Sequence, residues 1–142
     1  DYLHFYYQLL RLIKKQELDN LVDIDPNYKS DDELINLLSR SDLIVFPYQH
    51  SRESSSAAVR QALASKSPVA VTPLPIFDDV SSVVDFLPGT SVEDISEGIL
   101  NFFQQPFSSV QCDINQDHLE SWLNHHSFNR LAYRLESILK SI

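Results

Sequence analysis

Glycine is nearly missing from this chain. Only Gly89 and Gly98 occur in 142 residues, which excludes a glycine-rich loop of the kind that cradles phosphates. Methionine is absent, and Cys112 is the one cysteine, so an internal disulfide is excluded and a reducing compartment fits. A lone thiol also offers little to a metal. Basic charge is scarce. Eleven Lys and Arg stand against twenty Asp and Glu, a net charge of -9, which argues against a nucleic-acid backbone or an anionic membrane surface as the main partner. Long apolar runs are missing as well. The longest stretch, "LIVF" at Leu43 to Phe46, suits a buried strand and falls far short of a membrane span.

What remains is the composition of a globular domain, with 43% hydrophobic and 22% charged residues. The length suits one domain over 1–142 with a real core. The chain opens directly on a helical pattern without an initiator Met, as expected for a piece of a larger protein.

Apolar spacing predicts a helix over Tyr2 to Glu17, carried by Leu3, Tyr6, Tyr7, Leu10 and Ile13. A short strand is expected at Leu21 to Ile24. Ser30 and Glu33 form a capping-box signature ahead of Leu34, Ile35, Leu37 and Leu38. That helix is expected to end near Ser41, and "DLIVFP" reads as a strand that stops at Pro47. A helix from Ser54 to about Ser65 follows the loop "YQHSRE", then a strand in "SPVAVT", a loop in "PLPIFDDV" and a weaker strand in "SVVDFL". Ser91 and Asp94 cap a further helix through Phe103. Gln104 to Asp113 reads as a connecting segment, and two tail helices are expected over Asn115 to His125 and Ser127 to Ile142. Short apolar strands alternating with helices predict an α/β fold, a Rossmann-like parallel sheet with helices on both faces and the tail helices packed on it.

Ligands of such sheets lie at the carboxyl ends of the strands. That places the loop and helix start "YQHSRESSSAAVRQ" in a natural site. A helix beginning near Ser54 offers unpaired N–H groups, and Ser54, Ser55 and Ser56 add hydroxyls, which suits a phosphate; the plainer role is one N-cap and two surface serines. Glu53 can accept bidentate bonds from neighbouring hydroxyls of a sugar, or simply place negative charge at a helix start. Gln61 can bond a ligand hydroxyl or be a solvated helix residue. His50 is a donor or acid-base candidate in the loop, and a loop histidine is more often surface. His125 and His126 point about 100° apart on a helix and make a poor metal pair. Asp78 and Asp79 form an acidic loop pair with no partner set at metal-ligand spacing. Trp122 reads as a packing anchor. No Ser/His/Asp nucleophile pattern occurs.

The run "DDELINLLSRSDLIVFPYQHSRESSSAAVRQALASKSPVAVTPLPIFDDV", about 50 residues, resembles the carboxyl-terminal, donor-binding half of GT-B glycosyltransferases, above all the retaining family 4. Ser41 to Pro47 matches that family's strand ending in Pro, and Ala62 to Val69 its helix-to-Pro-Val segment. "QELDNLVDI" before the run, and "EDISEGILNFF" and "HSFNRLAYRLESIL" after it, fit the family's order of elements, so the resemblance covers nearly the whole chain.

The resemblance implies transfer of a sugar from a nucleotide-sugar to a glycan or lipid-linked acceptor with retained configuration. It implies no metal, no cofactor and no protein nucleophile. Glu53 would take the first position of a Glu-x7-Glu motif, catalytic and in contact with the donor sugar. Gln61 would take the second, where a glutamate usually holds the ribose. Tyr48, His50, Ser54, Ser55 and Ser56 would line the donor site. Two departures stand out: Gln61 lacks the charge of a carboxylate, and the glycine usual before Pro-Val is replaced around Lys66-Ser67. The acceptor-binding half and the family's basic pair would lie outside this chain, which alone would not turn over. A cytoplasmic setting is implied, at the inner membrane face through the other half. The alternative is a GT-B-like binding or assembly module without catalysis. A phosphoacceptor receiver domain fails, because Pro47 and Tyr48 stand where its strand must end in Asp.

Overall fold

The computed structural model describes residues 2–104 and 109–141. It is an α/β structure whose elements run α1 (Tyr2–Lys15), α2 (Asp31–Leu38), β1 (Ile44–Phe46), α3 (Ala57–Ala64), β2 (Val69–Val71), a 3-10 helix (Pro75–Val80), β3 (Asp85–Phe86), α4 (Val92–Gln104), α5 (Ser109–His125) and α6 (Phe128–Lys140). The three strands form one parallel sheet in the order β1-β2-β3. Ile44 pairs with Val69, Phe46 with Val71, and Val71 in turn with Phe86. A parallel sheet needs a crossover between neighbours, and α3 and the 3-10 helix supply the two.

The core follows from the small and β-branched residues of the α3–β2 unit. Val59, Ala62 and Leu63 recur at helical spacing and are no more than 1% exposed, while all three residues of β2 are buried. Ile76, Phe77 and Val80 close the core from the 3-10 helix. Helix α3 also packs against α2 and α5, and α5 against α6.

Local hydrogen bonding explains where the elements end. Ser30 caps α2: its hydroxyl accepts from the Glu33 N–H, and the Glu33 carboxylate accepts from the Ser30 N–H at 2.9 Å and hydroxyl at 2.7 Å. Ser91 and Asp94 do the same for α4. Gly89 stands beside that cap, where a Cβ would lie 2.3 Å from an Asp94 carboxylate oxygen.

Five boundaries differ from the sequence pattern. Leu21 to Ile24 forms no strand, because the Leu21 and Val22 N–H groups both bond the Leu18 carbonyl in the turn after α1. That turn is set by Glu17 at φ 56, so α1 stops at Lys15. Helix α2 ends at Leu38, where the Ser39 hydroxyl takes the Asn36 carbonyl. Helix α3 starts at Ala57 rather than Ser54, since Ser56 is extended (φ -113, ψ 116) and its hydroxyl accepts from the Val59 N–H. Serine competes for backbone bonds and so favours such a cap over a helix interior. Helix α5 begins at Ser109, well before Asn115. Residues 105–108 of the expected connecting segment, and the Cys112 side chain, lie outside the described residues.

The α3–β2 turn carries the second left-handed residue of the chain outside glycine among the described residues. Lys66 sits at φ 64, the left-handed region glycine favours. Its neighbours hold it there: the Ser65 hydroxyl bonds the Ala62 carbonyl at 2.6 Å, and the Ser67 hydroxyl bonds the Leu38 carbonyl at the end of α2 at 2.8 Å. The Lys66 ammonium pairs with Glu120 of α5 at 2.5 Å and holds that carboxyl below its usual range.

Lys66→Gly relieves the backbone but loses the exposed ion pair, whereas Lys66→Ala loses the pair alone. The glycine variant should therefore be about 1 kcal/mol more stable than the alanine variant in urea denaturation; equal stabilities would refute the strain. Ser30→Ala should cost about 1 kcal/mol at neutral pH. Glu33 is held below its usual range by the Ser30 hydroxyl and then the Ser30 N–H. A depressed carboxyl stabilises the fold above its unfolded pKa and loses that effect as the pH falls through the folded value. The difference between wild type and Ser30→Ala should thus narrow below the ordinary glutamate range, as followed by melting temperature against pH.

Candidate functional site

Parallel strands bring three loops to one edge of the sheet: residues 47–56 after β1, 72–74 after β2 and 87–91 after β3. The first of these carries most of the chemistry. It is anchored at both ends. At its start, Thr72 is fully buried and its hydroxyl bonds the Tyr48 carbonyl at 2.7 Å, while the Thr72 N–H bonds the Phe46 carbonyl. The Tyr48 ring is half-buried, 5.3 Å from the Phe77 ring and 6.2 Å from that of Phe46. At its end, Ser56 is buried as the α3 cap.

Between the anchors the loop faces solvent. His50, Glu53, Ser54 and Ser55 are all exposed. The Glu53 N–H donates to the Ser51 hydroxyl at 3.1 Å, a local turn that leaves the Glu53 carboxylate without a partner among the described residues. Helix α3 begins just beyond. Its first N–H groups, those of Ala57 and Ala58, have no acceptor within the helix, as at any helix start.

Gln61 stands on the α3 flank facing α2. Its Nε2 donates to Asp31 Oδ1 at 2.8 Å. Among the described residues no hydrogen bond joins Gln61 to Glu53, so the structure ties Gln61 to a carboxylate that sequence spacing did not suggest. Thirty residues separate Asp31 from Gln61, and no local pattern encodes such a pair.

The remaining candidates resolve into packing. Asp79 is ion-paired with Arg60 of α3, and the same guanidinium lies 5.8 Å from the centre of the Trp122 ring. Trp122 stacks on His126 at 4.1 Å, so it is the packing anchor that its sequence position suggested. His125 and His126 each turn Nδ1 onto a carbonyl one turn back, at the end of α5. Asp78 is exposed, and its carbonyl accepts from the Ser81 hydroxyl. Among the described residues no group of His, Cys, Asp and Glu is placed to hold a metal ion, and no helix is long and apolar enough to cross a membrane. A cavity of about 320 Å³ lies between α1 and residues 19–24, lined by Tyr6, Leu10, Lys14, Asp19 and Asp23 among others; none of the loop 47–56 reaches it.

The Thr72 hydroxyl is the fastening of this loop. Thr72→Val should cost about 1–3 kcal/mol, because it leaves the Tyr48 carbonyl without its partner. Thr72→Ser should recover most of that loss in the same urea titration.

Comparison with protein families, with curated proteins and with solved structures finds no match to this chain.

Proposed function

We propose that this chain is the donor-binding half of a GT-B, family 4-type retaining glycosyltransferase, a Rossmann-like unit that takes a nucleotide-sugar. The observation that carries the reading is the β1–loop–α3–β2 unit. Two parallel strands are joined through a helix, with a carboxylate-bearing loop and the helix start at the carboxyl edge of the sheet. The left-handed Lys66, at the place where the resembled family has glycine, agrees with it.

Each group then has a task. The Glu53 carboxylate accepts hydrogen bonds from hydroxyls of the donor sugar and orients it. The N–H groups of Ala57 and Ala58, with the hydroxyls of Ser54 and Ser55, stabilise the leaving diphosphate as negative charge gathers on it. Gln61 faces the nucleoside. Positioning and leaving-group stabilisation supply the catalysis, and the acceptor, a glycan or lipid-linked glycan, comes from the other half of the enzyme. A second reading is a binding or assembly module of the same fold without catalysis. It draws on the Gln61 amide, which is engaged with Asp31.

Thermal-shift titration of the chain with UDP, GDP and ADP tests the donor-site reading. A bound ligand stabilises the fold by mass action, by about 2.7 kcal/mol at a hundred times its dissociation constant. One nucleoside diphosphate should raise the melting temperature, and its nucleotide-sugar should raise it further. Glu53→Ala should remove the second increment and keep the first. No shift with any of the three would remove the donor-site reading and leave the module.

A further inference from the structure

Helix α6 joins the rest of the molecule through α5 and leaves one whole side bare. Phe128, Leu131, Leu135, Ile138 and Leu139 fall within about 100° of one another around the helix. Each of them is 47% to 90% exposed. The two edges of this stripe differ in charge. Arg130 and Arg134 lie beyond one edge, and neither guanidinium has an ion pair among the described residues. Glu136 lies beyond the other edge, where it meets Lys140 at 2.6 Å in an exposed pair of little strength.

The cavity of about 320 Å³ between α1 and residues 19–24 has the complementary order. Leu10, Ile13 and Val22 give it apolar lining, Asp19 and Asp23 border it on the loop side, and Lys14 on the α1 side. None of these three charged groups has an ion pair among the described residues. Helix α1 has 14 residues and α6 has 13, so each is roughly 20 Å long. A stripe laid along this groove brings two free guanidiniums to two free carboxylates, with Glu136 on the side of Lys14. Within one chain α6 is held on α5, which packs on α3, and both stripe and groove stay open. We propose that α6 of one copy seats in the α1 groove of a second copy, and that reciprocal exchange closes the contact as a two-fold dimer. An anionic lipid surface would suit the stripe and its arginines. It would also meet the nineteen carboxylates outside α6 and leave Asp19 and Asp23 unanswered. The contact is independent of the donor-site reading.

Sedimentation equilibrium of the intact chain tests this, and the wild type should show a reversible dimer. Two variants reverse one side of the contact each: Arg130→Glu with Arg134→Glu, and Asp19→Lys with Asp23→Lys. Each alone should weaken the dimer about a hundredfold, because like charges then face each other across the contact. All four positions are exposed, so the melting temperatures should stay near that of the wild type. An equimolar mixture of the two variants should dimerise again, since every helix then meets a groove of opposite charge. That rescue also shows that both variants are folded. If the Asp19 and Asp23 variant stays as dimeric as the wild type, α6 pairs elsewhere and the proposal is overturned. A mixture that stays monomeric overturns it too. So does a wild type that is monomeric throughout, and its co-sedimentation with phosphatidylglycerol vesicles would then assign the stripe to a lipid surface.

Discussion

The seat of α3 on β2 is the contact on which the rest of this structure depends. Val59, Ala62 and Leu63 press onto the buried face of Val69 and Val71, and Ala62, having only a methyl group there, lets the helix come close to the sheet. The other elements are fastened to this unit. Strand β1 pairs with β2 on one side, and the 3-10 helix closes the core next to it. Helix α2 is tied through Ser67 and Gln61, and α5 through Lys66 and Arg60. A cavity at Leu63 would therefore loosen several partners at once.

The same unit gives the loop 47–56 its character. Thr72 holds one end and the Ser56 cap the other, both by buried hydroxyls, while the residues between them are exposed. Fixed ends and an exposed middle are what a loop on a rigid scaffold has when its side chains are available to solvent. The anchoring also separates roles that the sequence runs together. Tyr48 and Ser56 belong to the frame. Gln49, His50, Arg52, Glu53, Ser54 and Ser55 are exposed between them.

Much of this was legible from local pattern. The strands at 44–46 and 69–71, the caps at Ser30 and Ser91, and the α/β alternation follow from apolar runs and capping residues that act over a few positions. Three serines in a row were not resolvable, because each can cap and only the bond to the Val59 N–H selects Ser56. Leu21 to Ile24 has strand composition, yet the turn set by Glu17 claims its N–H groups. The engagements of Gln61 with Asp31 and of Arg60 with Asp79 and Trp122 join residues far apart in the chain, so no spacing rule could reveal them. The left-handed conformation of Lys66 was not legible either, because bonds from Ser65 and Ser67 to the Ala62 and Leu38 carbonyls frame it.

Charge sets the final constraint on function. Both cations of the α3–β2 unit are already engaged, Arg60 with Asp79 and Lys66 with Glu120. Arg52, exposed in the loop 47–56, has no ion pair among the described residues, so a side-chain cation stands beside the backbone N–H groups at the start of α3. Carboxylates nearby would oppose an anionic ligand, and Glu53 and Asp31 are both carboxylates. Exposed charges are screened over about 8 Å at physiological salt. Gln61 stands five positions beyond the Ser56 cap, about 7.5 Å along the helix axis at 1.5 Å per residue. The order along the loop and α3 is thus the Glu53 carboxylate, then the N–H groups at the helix start, then the Gln61–Asp31 bond.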